Sequence, residues 1–178
     1  MFTDYMNSPL GLIEIKASDI GITQVIFCGD DLKTSTNSNE TTDACKLQLI
    51  EYFNGERKIF NLPLDQQGTQ FQESIWHCLV DIPFGQTMSY GDIAHKINNP
   101  KSVRAVGGAN GRNPISIIVP CHRVIGASGT LTGYAGGIER KLWLLKHEGI
   151  AVKNSKENAK LDINNVLSLR QDKTQFLK

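Results

Sequence analysis

A cysteine and a histidine stand side by side in Pro120-Cys121-His122-Arg123, directly after the apolar run Ile115-Ser116-Ile117-Ile118-Val119. A thiol attacks well only as thiolate, and a neighbouring imidazole can take its proton. Taken alone, the pair also fits the commoner arrangement of a small buried cysteine beside a hydrogen-bonded histidine. Its surroundings favour chemistry. Gly126, Gly129, Gly133, Gly136 and Gly137 crowd the loop that follows, and function concentrates on loops with unusual backbone angles. The segment 98–110, with Lys101 and Arg104, is basic and lies just upstream. A buried apolar strand over residues 115–119 is expected to hold the pair rigidly, and the basic segment to bring a polyanion to it. Together these read as a cysteine nucleophile that works on nucleic acid.

The elements that must position these residues follow from local pattern. Residues 10–17 and 21–28 are β-branched and partly alternating, with Asp19 near a turn, and predict a hairpin. Residues 33–42 predict a polar loop. Asp43 then caps a helix running through Leu47, Ile50 and Phe53, stopped by Asn54-Gly55. Residues 59–64 suggest a third strand. Thr69 and Gln72 have capping-box spacing, and Phe71, Ile75 and Leu79 form the expected buried face of a helix that Pro83 ends. Ser89, with Asp92, opens a helix containing Ile93, Ala94 and Ile97. Asn99-Pro100 fits an N-cap followed by proline at the first position of another helix.

Two short helices joined at Asn98-Asn99 make a helix-turn-helix pattern, which also occurs in folds that bind no DNA. The second of them contains Ala105, Gly107, Gly108 and Ala109. Glycine costs a helix roughly 1 kcal/mol relative to alanine. Two in succession therefore point to a close approach, either by a DNA groove or by another helix. Ile138, Leu142 and Leu145 define a last amphipathic helix, terminated by Gly149. Residues 151–178 are polar; they either form a terminal helix around 161–169 or stay disordered. The expected division is 1–65, 66–150 and a tail, 151–178.

Composition narrows the class. The chain has 178 residues, 40% hydrophobic and 21% charged, ordinary for a globular protein. No apolar run has the length of a membrane span, and the N-terminus lacks a secretory pattern, so a cytoplasmic location is expected. The cysteines are Cys28, Cys45, Cys78 and Cys121, with no CxxC spacing. Zinc held by Cys28, Cys45, His77 and Cys78 would require tertiary coincidence, so no metal is expected, and neither is a disulfide framework. The net charge of +1 hides an asymmetry: residues 1–66 carry five Lys/Arg against ten Asp/Glu, whereas residues 67–150 carry eight against five. A polyanion is expected to meet the second half.

Asn113-Pro114, then Ile117-Ile118-Val119-Pro120-Cys121-His122-Arg123-Val124-Ile125, then Gly133-Tyr134-Ala135-Gly136-Gly137, then Lys141-Leu142-Trp143-Leu144-Leu145-Lys146-His147-Glu148-Gly149 carry a resemblance. Over about residues 67–150 the chain resembles the O6-alkylguanine-DNA alkyltransferases, also called methylated-DNA–protein-cysteine methyltransferases. The resemblance implies an α+β protein: a small ribonuclease-H-like α/β domain, then a mainly helical domain with a helix-turn-helix. It implies repair of O6-alkylguanine in double-stranded DNA, with O4-alkylthymine as a second candidate, by a monomer that needs no cofactor. Cys121 resembles the alkyl acceptor, His122 the base that takes its proton through a water, and Glu148 the carboxylate that orients and charges the histidine. Asn113 resembles the hinge residue supporting the active-site backbone. Tyr90 resembles the tyrosine that crowds the target phosphate and assists the leaving guanine.

Arg104 resembles the arginine that fills the gap left by a flipped nucleotide. Ala105, Gly107 and Gly108 fit the family's minor-groove docking. Val124, Tyr134 and Ala135 resemble the guanine pocket. Members often have serine where this chain has Ala135; a backbone contact would be unaffected, whereas a hydroxyl role would alter substrate preference.

Two other functions fit parts of the pattern. A Cys–His hydrolase or acyltransferase predicts turnover and an oxyanion hole, but leaves the helix-turn-helix unexplained. A DNA-binding regulator predicts sequence-specific binding that survives loss of Cys121. Small groove-facing residues with one arginine suit shape reading better than base reading.

Overall fold

A computed structural model of the chain describes residues 1–29, 36–131, 133–153 and 160–161. The chain divides into two compact units, the first holding residues 1–67 and 114–116, the second 68–113 and the described residues from 117 onward.

In the first unit, β1 (Phe2–Ser8), β2 (Gly11–Ala17) and β3 (Ile22–Cys28) form an antiparallel sheet in the order β1-β2-β3. The hairpin expected from residues 10–28 is β2–β3; β1, with its mixed polar and apolar residues, is an addition. Helix α1 (Glu40–Phe53) begins three residues before the expected cap. Asn39 accepts from the Thr42 amide at 2.9 Å, and the Thr42 hydroxyl accepts from the Asn39 amide at 2.9 Å. This capping box leaves Asp43 in the first turn, where the helix dipole favours an acid. Cys45, Leu49, Tyr52 and Phe53 are buried, whereas Leu47, expected on that face, is 58% exposed.

The third strand expected at 59–64 does not form. The Gln48 side chain instead donates to the Asn61 carbonyl at 3.0 Å and accepts from its amide at 2.9 Å. A side chain therefore satisfies the backbone groups that a ladder would have used. Leu64 alone makes a bridge to Ile22. Residues 33–35 of the expected polar loop lie outside the described residues.

The second unit contains α2 (Gln70–Val80), β4 (Met88–Ser89), α3 (Tyr90–Lys96), α4 (Val103–Gly111), β5 (Val124–Ile125) and α5 (Ile138–His147), followed by the paired β6 (Val152–Lys153) and β7 (Lys160–Leu161). The boxes at Thr69–Gln72 and Ser89–Asp92 are both formed. Trp76 joins Ile75 and Leu79 in the core, and its indole N–H donates to the Ala109 carbonyl at 2.9 Å, fastening α2 to α4. Between α3 and α4 the chain turns through Asn98 at φ 59°, a left-handed angle that asparagine tolerates, and a 3-10 turn at Pro100–Ser102. The strands β4 and β5 pair in parallel, Met88 opposite Val124. Ile125, Leu131, Leu145 and Ile150 pack together, while Ile138, expected on the buried face of α5, is 37% exposed. Of the terminal helix expected around 161–169, residues 162–169 lie outside the described residues, and Leu161 is in a strand.

Residues 115–119 are not the expected buried strand. Ile115 makes a single bridge to Val25, and the chain then turns at Ile117, φ 72°. The Asn113 amide closes this turn by donating to the Val119 carbonyl at 2.8 Å. A β-branched residue rarely holds a positive φ, and Ile117, 1% exposed, is kept there by burial on all sides.

Candidate active site

Cys121 opens a 3-10 turn, Cys121–Arg123, between Pro120 and β5. Its side chain is 2% exposed. Asn110, on the last turn of α4, donates to the Cys121 carbonyl at 3.3 Å. Burial pushes the thiol up from its ordinary value, against the pull of the Asn113 side chain, the Lys141 ammonium and the backbone N–H groups of Cys121 and His122.

His122 is completely buried, and its Nε2 lies 2.6 Å from Glu148 Oε2. Glu148 caps the C-terminus of α5. Arg123 Nε donates to Glu148 Oε1 at 2.8 Å and its Nη2 to Oε2 at 3.0 Å, while Nη1 donates to the Ile82 carbonyl at 2.6 Å. The Gly85 N–H adds a longer bond to Oε1, 3.3 Å. Burial holds the imidazole below its ordinary 6.5, against the pull of Glu148. Burial also opposes ionisation of Glu148, but His122 and Arg123 overcome it and hold the carboxyl far below the usual range. Of the two partners of Glu148, Arg123 carries a permanent charge. With Nε2–H donating to Glu148, the lone pair resides on Nδ1, which makes no hydrogen bond within the described residues. Nδ1 is therefore the nitrogen able to accept a proton.

Lys141 on α5 is 0% exposed, and its Nζ donates to the Val124 carbonyl at 2.5 Å. Burial lowers it to about 8, with Cys121 acting in the opposite sense. Its ammonium lies 5.9 Å from the ring centroid of Tyr90, the first residue of α3.

The structure thus places the Asn113 side chain against Cys121 and joins His122, the next residue, to Glu148 by a hydrogen bond. Val124 and Tyr134 are buried, and Ala135 is exposed. On α4, Arg104, Ala105 and Gly108 lie on the exposed face and Gly107 is half-buried. A Cβ at Gly108 would meet nothing within 4 Å, and one at Gly107 would make ordinary contact with Tyr90 at 3.9 Å. Packing within the described chain therefore does not require either glycine. Among the described residues, no three His, Cys, Asp or Glu side chains gather as metal ligands, and no helix is long and apolar enough to cross a membrane.

Arg123, Lys141, Asn110 and Gly85 escaped the reading of residues. A signal existed for Lys141, which falls on the buried stripe of α5 with Leu144 and Leu145. A charge on an apolar stripe is the informative exception to burial rules.

Such a site belongs to a cysteine nucleophile built into a helix-turn-helix unit. Residues 70–150 match the family model for the 6-O-methylguanine DNA methyltransferase DNA binding domain, and residues 1–66 that for its ribonuclease-like domain. A methylated-DNA–protein-cysteine methyltransferase of Methanosarcina acetivorans is 47% identical over 154 residues, which cover 84% of this chain and 99% of that protein. A constitutive one from Bacillus subtilis is 46% identical over 155 residues, 82% of this chain and 94% of its own length. The crystal structure of Mycobacterium tuberculosis OGT in complex with DNA matches with a TM-score of 0.76 at 44% identity, over 83% of this chain and 93% of that one. The chain belongs to the 6-O-methylguanine DNA methyltransferase family.

Proposed function

We propose that this protein repairs alkylated DNA directly, taking an O6-alkylguanine out of the duplex and transferring its alkyl group to Cys121, once per molecule. The observation that carries this reading is the buried Cys121 thiol beside the Glu148–His122 hydrogen bond, in the same unit as an exposed helix whose glycines the chain itself does not crowd.

An alkyl group on guanine O6 lies inside the duplex, so the base must be flipped, at a cost of a few kcal/mol. We assign docking in the minor groove to Ala105, Gly107 and Gly108, and filling of the vacated stack to Arg104. The flipped guanine is received by Val124, Tyr134 and the backbone at Ala135. His122 Nδ1 takes the thiol proton through a water, and Glu148 stabilises the resulting imidazolium. Asn113 supports the backbone beneath the thiol. Sulfur then attacks the alkyl carbon: the S–C bond forms as the C–O6 bond breaks, and the electron pair leaves on guanine. Guanine takes up a proton with the help of the Tyr90 hydroxyl. The net exchange is the thiol hydrogen for the alkyl group.

A thioether has no good leaving group, so the acceptor is not regenerated. No step needs a cofactor. One chain supplies both acceptor and groove-facing helix, and we assign a monomer. Four free cysteines and a reaction that requires a reduced thiol support a cytoplasmic setting.

The test is intact mass after incubation with duplex DNA containing O6-methylguanine. One added methyl on the Cys121 peptide, with stoichiometric repair, is expected. Multiple turnovers per protein, or repair with an unmodified Cys121, would overturn the reading.

A further inference from the structure

Asn110 is the one polar side chain among the buried residues of α4, 1% exposed, and the mechanism leaves its amide unused. Its Nδ2 donates to the Cys121 carbonyl at 3.3 Å. A carbonyl only accepts, so the amide is fixed with Nδ2 on that side, and Oδ1 makes no hydrogen bond within the described residues. A buried acceptor left without a donor is costly and calls for a physical reason. The same end of α4 meets the pocket loop: a Cβ at Gly111 would lie 3.7 Å from the Gly133 carbonyl, directly before Tyr134 and Ala135. Asn110 thus stands between the segment that holds the thiol and the loop assigned to the guanine.

We infer that Asn110 is a specificity-determining residue that reads guanine: its Oδ1 accepts a hydrogen bond from the 2-amine of the flipped O6-alkylguanine, while its Nδ2 stays on the Cys121 carbonyl. The inference rests on the reading of Cys121 as alkyl acceptor and deepens it, naming the group by which the base is told from a purine without that amine.

O6-alkylguanine supplies what Oδ1 lacks. Alkylation at O6 removes the proton from N1, so the six-membered ring of the base offers one donor, the 2-amine, beside acceptors. Once buried, that amine needs an acceptor as much as Oδ1 needs a donor. The bond would tie the recognised edge of the base to the backbone of the nucleophile. A base lacking the amine leaves Oδ1 unpaired in a site closed to water, and such a site rejects it.

The experiment follows methyl transfer to the full-length protein by intact mass. Two duplexes carry O6-methylguanine or O6-methylhypoxanthine, which differs only in the missing 2-amine. Each lesion stands opposite an abasic site, so neither has a base pair to break. Wild type is expected to react with the guanine lesion at least about tenfold faster, the worth of one buried hydrogen bond. Asn110→Leu, close in size and without polar side-chain atoms, should bring the two rates within about threefold of each other. A merely structural role would slow both reactions alike, so an unchanged ratio overturns the inference.

Should Asn110→Leu fail to fold, Asn110→Ala makes the same comparison with less bulk, and the same collapse of the ratio is expected. The wild-type protein decides in any case: equal rates on the two lesions overturn the inference without a variant. If methyl is taken from neither duplex, the repair reading fails and the inference with it. If methyl is transferred at a ratio that Asn110 does not control, the inference alone fails.

Discussion

Cys121 holds the one sulfur that the site surrounds with a base and a cation, and substitution separates its chemistry from binding. Cys121→Ala should take no methyl from O6-methylguanine DNA yet bind duplex within about threefold of wild type, roughly 0.7 kcal/mol. Mass spectrometry and fluorescence anisotropy on one sample check both halves. Glu148 has two roles to lose. It orients His122, and it answers the buried Arg123 guanidinium through two bonds of 2.8 and 3.0 Å. Glu148→Gln should slow transfer near neutral pH, with the defect shrinking where the thiolate forms unaided. It should also lower stability by about 3 kcal/mol, the cost of breaking a buried pair, measured by urea unfolding. The pH dependence has a definite sign. The folded carboxyl lies below its ordinary 4.5, so its stabilisation is fully present above about pH 4.5 and is lost as pH falls toward the folded value. Glu148→Gln should flatten that acid limb of the stability curve.

At the scale of the element, α4 is the critical part. Gly108→Ala meets no protein atom within 4 Å, so the helix should gain up to about 1 kcal/mol. A groove wall pressed on that face would make the same methyl costly. The expected result is a higher melting temperature with weaker duplex binding, and a rise in both would argue against groove docking there. Arg104→Ala should impair repair of duplex far more than reaction with free O6-benzylguanine, since a free base needs no extrusion. Equal losses would place Arg104 in the pocket or the fold. Gly133 behaves differently from Gly108. It holds φ 68°, and a Cβ there would come within 3.2 Å of the Tyr90 hydroxyl. This glycine is needed for conformation and for room.

For the whole molecule, the charge is divided along the chain, with residues 67–150 net basic and residues 1–66 net acidic. Affinity for unmodified duplex should fall steeply with salt, because it rests on phosphate neutralisation by Lys101, Arg112 and their neighbours. An affinity independent of salt would oppose the basic-face assignment. Residues 153–178 carry six Lys/Arg and three Asp/Glu and follow Glu148. Truncation after Val152 should leave the free-base rate unchanged and weaken DNA binding by no more than about tenfold, roughly 1.4 kcal/mol. Loss of transfer in a truncated protein that stays folded would extend the active site into the tail.

Sequence by itself determined what depends on near neighbours. The boxes at Thr69–Gln72 and Ser89–Asp92, the turn at Asn98 and the adjacency of Cys121 and His122 are set within a few residues, where side chains reach their own backbone. Motif order was enough for the family and the alkyl-acceptor reading. Tertiary structure decided what depends on distant partners. Residues 115–119 look like a strand by composition, but Asn113 and surrounding burial make them a turn. Residues 59–64 were taken out of any ladder by a glutamine thirteen positions away. Arg123 joins Ile82 across 41 positions, and Lys141 joins Val124 across 17. Arg123 and Lys141 carry no local pattern that says where they will end. The permanent charge beside Glu148 and the cation beside the thiol arise only when the chain closes and water is excluded from both.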